Sequence, residues 1–382
     1  MAKHYDIIIS GAGMAGLSLA YRAVKQGVWS NKSILIIDKS EKQENDKTWC
    51  FWDSDESPFE EVVHRKWDNM LFFTNSGRKI ELDTERYKYK MIRSIDFYQH
   101  TLSYLKSQPN ISFLYSEIDR FKQANNKAIV VARDDEYSAD YIFNSVLGKP
   151  NLRANDTYLL QHFKGKFIES DELNLNPNQI HLMDFRTSQK HGCTFVYLLP
   201  TSKNSALVEY TLFSDKLLDT EEYDINLDIY INEILGVNDY KTNEEEFGII
   251  PMTDYKFARK NGRIINIGTA GGDTRGSTGY TFYNTQQTIT NIIESYEKTG
   301  SPLGAKEHIG SKDRLYDSTM LQVLAKGEYE GHQLFADMFS KVPAHIIFDF
   351  LNSESKLRQD IKVINSLSPV HFPTPFIKAL MR

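Results

Sequence analysis

The opening of the chain constrains what the rest can be. Tyr5-Asp6-Ile7-Ile8-Ile9-Ser10 runs into Gly11-Ala12-Gly13-Met14-Ala15-Gly16, and a helical pattern covers Met14 to Lys25. A second apolar run, Ser33-Ile34-Leu35-Ile36-Ile37, ends on Asp38 and Lys39. Ile7 to Ile9 has the continuous apolar character of a buried parallel strand. Strand, Gly-x-Gly-x-x-Gly turn, helix, strand and terminal acid together make the dinucleotide-binding βαβ unit, a far more specific signal than the glycines alone. Gly11 makes the tight turn, Gly13 lets a pyrophosphate reach the backbone beside Ala15, and Gly16 lets helix and strand pack closely. The helix N-terminus offers unpaired N–H groups and the positive end of a dipole to phosphate. Asp38, with Lys39 next to it, is placed to meet an adenosine ribose. The competing reading is a ligand-free α/β turn, and this unit by itself does not separate FAD from NAD.

Composition narrows the class. The 382 residues amount to about two or three domain-sized units, and 41% hydrophobic residues suffice for a real core. The 45 basic and 51 acidic residues, net charge −6, are spread along the chain, which argues against a nucleic-acid partner. Cys50 and Cys193 are too few for a disulfide framework or a cysteine metal cluster and suit a reducing compartment. The first strand begins almost at Met1, so no signal peptide and a cytoplasmic location are expected. No run approaches the ~18 apolar residues of a transmembrane helix. His64, His162, His181 and His191 show no metal-ligand spacing, and no metal is expected. The 22 Phe, 21 Tyr and 4 Trp leave two readings open: aromatic cores, or the lining of a large flat or cationic ligand site.

Further along, Arg86 to Ile92 alternates as a half-buried strand would, and Ser94 is expected to cap a helix over Phe97–Lys106. Ile111–Tyr115, Ala128–Ala132 and Ala139–Leu147 read as strands. The stretch 150–250 reads as a mostly antiparallel sheet, with strands at His181–Phe185, Thr194–Leu199 and Ala206–Phe213. A short strand in Gly262–Gly268 leads into a second glycine-rich loop, Gly268-Thr269-Ala270-Gly271-Gly272-Asp273-Thr274-Arg275-Gly276-Ser277-Thr278-Gly279-Tyr280, then a helix over about Asn284–Tyr296. Beyond Leu315 the chain reads as helical. A nucleotide clamped by two glycine-rich turns far apart in sequence suits an extended FAD better than a nicotinamide cofactor. The loop's backbone N–H groups form a candidate nest for it.

Several motifs, in order, resemble the flavoprotein lycopene cyclases, a family within the flavoproteins folded like aromatic hydroxylases. The matching pieces are Gly11–Gly16 with Asp38, Thr48-Trp49-Cys50-Phe51-Trp52, Met183-Asp184-Phe185-Arg186, Val208-Glu209-Tyr210-Thr211, Ile250-Pro251-Met252, and the loop from Gly268 to Tyr280. Phe348-Asp349-Phe350-Leu351 and Ser366-Leu367-Ser368-Pro369 are similar but less specific. Two departures stand out. Tyr210 replaces the second acid of the family's Glu-Glu/Asp-Thr segment, and Asp273 and Arg275 charge a loop that is usually less charged.

The resemblance implies an α/β fold: a Rossmann-like FAD-binding domain of the aromatic-hydroxylase type, an inserted α+β substrate domain and a helical C-terminal region. The expected FAD domain covers about 1–48, 80–150 and 250–300, the substrate domain about 49–79 and 151–249, and the helical region about 301–382. It also implies a chemistry, the acid-catalysed, non-redox closure of lycopene ends to β-ionone rings. In that chemistry reduced FAD stabilises the carbocation and NAD(P)H is the reductant. The competing classes are an FAD-dependent hydroxylase or prenyl reductase acting on a lipophilic substrate, and a non-catalytic flavin or carotenoid binder.

Site residues follow from the motifs. Glu209 is the candidate proton donor, against the alternative of a solvent-facing strand residue. Asp184 is the second catalytic candidate, orienting Glu209 or removing the final proton, or else merely capping a turn. Gly11, Gly13, Ala15, Gly16, Asp38, Lys39, Arg93, Gly268, Gly271, Gly272, Thr278 and Gly279 are the candidate cofactor residues. Trp49, Phe51, Trp52, Tyr210 and Tyr280 are candidates for the substrate, the alternative being a packed aromatic seam. A substrate soluble only in lipid implies contact with the inner face of a membrane. Phe335, Met338, Phe339, Val342, Ile346, Ile347 and Phe350, then Phe372, Phe376, Ile377 and Leu380 with Lys378 and Arg382, are candidates for that contact or for an internal core.

Overall fold

The computed structural model describes residues 3–54, 56–124 and 126–381. Among these residues the chain forms three sheets with helices around them. The largest has eight strands and a parallel centre in the order Lys260–Asn261, Ile264–Asn266, Asp135–Asn144, Lys3–Ser10, Ile34–Asp38, Ile111–Tyr115. Lys3–Ser10 pairs in parallel with Ile34–Asp38 on one side and with Asp135–Asn144 on the other. Ile7, Ile8 and Ile9 are fully buried, as a strand covered on both faces requires. The helix between the first two strands spans Met14–Lys25, the span expected, and packs against the helix Phe282–Thr299 that follows the second glycine loop.

The second sheet has seven strands in the order Lys241–Thr253, Tyr158–Glu169, Ser205–Ser214, Cys193–Pro200, Gln179–Asp184, Asn69–Phe73, Lys79–Glu81. Its pairings are antiparallel except that between Gln179–Asp184 and Asn69–Phe73. Its faces have different neighbours. Val196, Leu198, Val208, Tyr210 and Leu212 pack beneath the helix Thr220–Ile229. Leu207, Phe213, Tyr197 and Leu199 face a core that also holds Trp52, Tyr89 and the C-terminal helices. A three-stranded antiparallel sheet, Thr48–Asp53, Lys88–Arg93 and Arg65–Trp67, lies on that second side.

Three local expectations are corrected. Ser94 is the first residue of the helix Ser94–Lys106 rather than its cap, because its hydroxyl accepts the backbone N–H of Lys47 at 3.0 Å. The strand expected over Ala139–Leu147 runs instead over Asp135–Asn144, paired along its first half with Lys127–Ala132. Phe335, Met338, Phe339, Val342, Ile346, Ile347 and Phe350 do not form a surface: all are buried in the main core. They interlock with aromatic groups of the sheets, as where Trp52 stacks on Phe348 at 4.5 Å and Phe72 on Phe339 at 5.1 Å. The later set differs. Phe376, Ile377 and Leu380 are exposed, together with Val370 and Met381; Arg382 lies outside the described residues.

Candidate active site

The first glycine turn has the geometry of an anion cradle. Gly11 sits at φ 95°, and a Cβ on Gly16 would lie 1.9 Å from the Gly11 carbonyl oxygen. Gly13 is the N-cap of the first helix, has no side-chain partner for the helix N–H groups, and has open space where a Cβ would be. That helix start carries no acid in its first turn, so its positive end stays available to an anion. Asp38 accepts the Ala12 N–H at 2.7 Å and the Ser40 N–H at 2.9 Å, which locks the carboxylate at the end of its strand. Lys39 follows it as an exposed residue. Arg93 gives its guanidinium to Asp96 in two hydrogen bonds of 2.8 and 2.9 Å, so its charge is already partnered.

The second glycine loop closes from the opposite side. Gly268, at φ 62°, leaves room for Ala15: a Cβ there would sit 2.9 Å from the Ala15 methyl. The two loops therefore meet at Ala15. Gly271 is pressed against the backbone of Asn266, and Gly272 takes a left-handed turn at φ 79°. The charges that depart from the family pattern hold this loop. Buried Asp273 accepts the Gly268 N–H at 2.7 Å, Arg259 at 2.6 Å and the Thr288 hydroxyl at 2.7 Å. Buried Arg275 pairs with Asp317 and donates to the Leu351 carbonyl at 3.0 Å and the Ser353 hydroxyl at 2.8 Å. The loop's far end, Thr278, Gly279 and Tyr280, lines a half-open cavity of about 120 Å³.

Glu209 lines the same cavity, with Trp49, Cys50, Tyr89, Phe163, Tyr197 and Glu246 among its walls. Strand alternation puts it there: Leu207, Glu209 and Thr211 share the inward face of Ser205–Ser214. Thr211 donates its hydroxyl to Glu209 Oε1 at 3.0 Å. Glu209 is half-buried; desolvation, followed by the nearby charge of Glu246, pushes its carboxyl well above the usual range, which favours the protonated form. Its surroundings are neutral phenols. Burial also pushes Tyr89 and Tyr197 well up and Tyr280 up to about 12, and the Tyr197 and Tyr280 hydroxyls stand 3.3 Å apart. Two buried polar atoms on the cavity wall, Gln161 Oε1 and Thr278 Oγ1, have no hydrogen-bond partner among the described residues. Two glycine loops that meet at Ala15, the second running on to a cavity with orphaned polar atoms, fit a bound FAD.

The site candidates separate accordingly. Trp49 and Tyr280 line the Glu209 cavity. Phe51 is stacked on Phe282 at 4.3 Å and Trp52 on Phe348, with the Trp52 indole N–H donated to Asn352 at 2.9 Å. These two support the wall from behind. Tyr210 and Asp184 are corrected. Tyr210 points to the opposite face of the sheet, under the helix Thr220–Ile229, because a strand turns successive side chains to opposite sides. Asp184 is paired in register with Val196, on that same far face, and is spent on Arg186, Tyr230 and His181. Burial opposes its ionisation, but hydrogen bonds from Arg186 and His181 and the Arg186 charge hold the carboxyl down at about 2. It is a fixed anion, out of reach of Glu209's side of the sheet.

Several residues of the site were absent from the sequence reading, Tyr89, Phe163 and Tyr197 on its walls and, as its second acid, Glu246 on the edge strand Lys241–Thr253. The signal available for Glu246 was the run Glu244-Glu245-Glu246-Phe247-Gly248 shortly before Ile250-Pro251-Met252. Outside this site, Asp83, Glu85 and His345 bring ligand-type atoms within 4.8 Å of one another among the described residues, but both acids are exposed and nothing else there points to a cation. No helix among the described residues is long and apolar enough to cross a membrane.

The comparisons with known proteins agree with this geometry. The family described as lycopene cyclase protein matches over residues 6–380. A lycopene beta-cyclase of Pantoea ananas is 26% identical over 268 residues, 66% of this chain and 64% of that protein, so the match spans less than two thirds of the relative. Among solved structures, a geranylgeranyl bacteriochlorophyll reductase-like protein from Thermoplasma acidophilum matches with a TM-score of 0.64 at 12% identity, covering 100% of this chain and 97% of the other. A variant of Klebsiella pneumoniae HpxO complexed with FAD matches with a TM-score of 0.59 at 15% identity, covering 96% and 100%. These likenesses establish the fold as that of the aromatic-hydroxylase type of flavoprotein.

Proposed function

This chain belongs to the lycopene cyclase protein family, and we propose that it is a lycopene beta-cyclase, closing the ends of lycopene to β-ionone rings and yielding β-carotene by way of γ-carotene. The observation that carries this reading is the place of Glu209: a carboxyl facing a largely apolar, aromatic-walled cavity next to the second glycine loop, where desolvation favours its protonated form. An alkene is a very weak base, and only an acid held neutral and little solvated can protonate one. Glu209 gives its proton to the terminal double bond. The neighbouring double bond attacks the tertiary cation, and loss of a ring proton completes the product with no net redox change. The faces of Trp49, Phe163 and Tyr280 line the space where positive charge develops. The Gly11–Gly16 turn, Asp38 and the Gly268–Gly279 loop would hold FAD, which in its reduced, anionic form would supply negative charge to offset the cation. NAD(P)H serves only to keep it reduced.

The substrate dissolves in lipid, so the protein works at a membrane surface on its inner, cytoplasmic side. The C-terminal helix Pro373–Leu380 offers Phe376, Ile377 and Leu380, with Lys378 between them and Met381 just after, all exposed. The helix Leu357–Ser366 adds exposed Leu357, Ile361 and Ile364.

The deciding experiment compares the flavin-loaded protein with its Glu209→Gln variant on lycopene in detergent or liposomes. Glu209→Gln keeps flavin and lowers turnover by roughly 10²–10⁴-fold; unchanged turnover rules Glu209 out as the acid. A second reading, a flavin reductase of prenyl chains, is favoured by the fold shared with the reductase-like protein. It requires one NAD(P)H consumed per product, whereas the cyclase needs only catalytic reduction.

A further inference from the structure

Glu246 enters the cavity from the edge of the sheet, and the strand register explains how it reaches Glu209. Glu209 is paired with Gly165, and Gly165 in turn with Glu246. The three residues form one row across three strands, so their side-chain directions share a face. Strands two apart are separated by roughly 9–10 Å, and an ordinary side chain in the middle position would keep the two acids apart. The middle position is glycine. A Cβ built on Gly165 would lie 3.1 Å from Glu246 Cγ, 3.3 Å from Glu246 Oε1 and 2.9 Å from Leu207 Cδ1. The Glu246 side chain therefore leans over Gly165 toward Glu209, and both acids line one cavity. Two ionised carboxylates brought together in this way repel each other, and a proton on one of them relieves the repulsion.

We propose that Glu209 and Glu246 form a carboxyl–carboxylate pair that holds a single proton across Gly165, with Glu246 as the positioning residue that keeps this proton on Glu209. The inference rests on the reading of Glu209 as the acid. The asymmetry follows from the surroundings. The cavity both acids line is walled by Cys50 from the strand Thr48–Asp53, Tyr89 from Lys88–Arg93, Tyr197 from Cys193–Pro200 and Tyr280 from the glycine loop. None of these offers a positive charge. Glu246 lies on the edge strand of the sheet; burial raises its carboxyl too, but less than that of Glu209, because Thr48 and the charge of Lys47 favour the carboxylate there while Glu244 opposes it. The anion of the pair thus sits outward on Glu246 and the proton inward on Glu209.

The pair also closes the proton cycle. When the Glu209 O–H bond breaks and a C–H bond forms on the substrate, two carboxylates are left side by side in a largely apolar cavity. Like charges so close make the pair a strong base. The π electrons of the neighbouring double bond then form the ring C–C bond. A ring C–H bond breaks, its electrons become the ring double bond, and its proton returns to the pair. Nothing is consumed.

The test reads the proton directly, by infrared pH titration of the flavin-loaded full-length protein. A protonated-carboxyl band is expected at neutral pH in the wild type and is lost in Glu209→Gln. In Glu246→Gln the band remains at low pH but disappears about one pH unit or more below the wild-type value, a tenfold or greater fall in proton affinity, since the like charge is gone. The alkaline limb of turnover moves with it. Gly165→Ala, which parts the acids without changing either, moves the band the same way and serves if Glu246→Gln does not fold. A band that titrates identically in wild type, Glu246→Gln and Gly165→Ala, or one that survives Glu209→Gln, overturns the proposal. Because the band is read without substrate, loss of the cyclase reading with these shifts intact is distinguishable from loss of the pair.

Discussion

Asp184 and Glu209 are carboxyls on neighbouring parts of one sheet, and its two faces drive them in opposite directions. Asp184 is held down at about 2 by Arg186 and His181 despite burial. A carboxyl with a depressed folded value stabilises the protein above its unfolded value, and that contribution is lost as the pH falls through the folded one. Asp184→Asn is therefore expected to cost on the order of 2 kcal/mol near neutrality, with the gap to wild type closing between about pH 4 and pH 2 in urea melts. Glu209 has the reverse sign. Its folded value is raised by burial and by Glu246, so the native state binds a proton that the unfolded chain does not, and stability falls as the pH rises above the unfolded value. Glu209→Gln is expected to melt higher than wild type, increasingly so toward alkaline pH, while losing activity; a variant that melts lower at every pH contradicts the buried neutral acid. The face of Glu209 was legible, since alternation groups it with Leu207 and Thr211. Alternation equally turns Tyr210 away, and Tyr210 was placed at the substrate only through the motif that contains it.

At the scale of elements, the two glycine turns carry the account because their requirements are local and steric. Gly16 has no room for a methyl group against the Gly11 carbonyl, so Gly16→Ala is expected to lose flavin and yield an unstable protein, read by bound-flavin absorbance after gel filtration. The second loop depends on long-range partners that no local pattern announces. Arg275 is fully buried and tied to Asp317 on the helix Ser311–Lys326 and to the end of the helix Ala344–Leu351. Removing one partner of such a pair costs about 3–5 kcal/mol. Asp317→Leu should destabilise by that amount in urea and weaken flavin retention with it. For the same reason Glu246 was not legible. Its strand begins Lys241-Thr242-Asn243-Glu244-Glu245-Glu246, a charged run that reads as loop. The partner strand Tyr158–Glu169 mixes buried and half-buried residues in no clear period of two. Both are strands because of the sheet they complete.

At the scale of the whole molecule, the chain returns to one site from distant segments. The strand Thr48–Asp53, the strand carrying Glu209 and the loop ending at Tyr280 converge on it, the Gly11 turn meets the start of that same loop, and helices past residue 311 seal the core behind it. Apolar residues of 331–351 are core, so a truncation there would test folding rather than membrane contact. Substituting exposed Ile377 and Leu380 with Ser is the cleaner probe, and is expected to lower co-sedimentation with anionic liposomes at least about tenfold with the fold intact. Equal binding would place the membrane face elsewhere. The central claim is that this fold spends a flavin and a buried acid on ring closure instead of oxidation. Pigment analysis of lycopene-accumulating cells expressing the chain tests it most directly. The account predicts conversion of lycopene to γ-carotene and β-carotene by the wild type and none by Glu209→Gln. Unchanged lycopene beside a folded, flavin-loaded wild-type protein would contradict it.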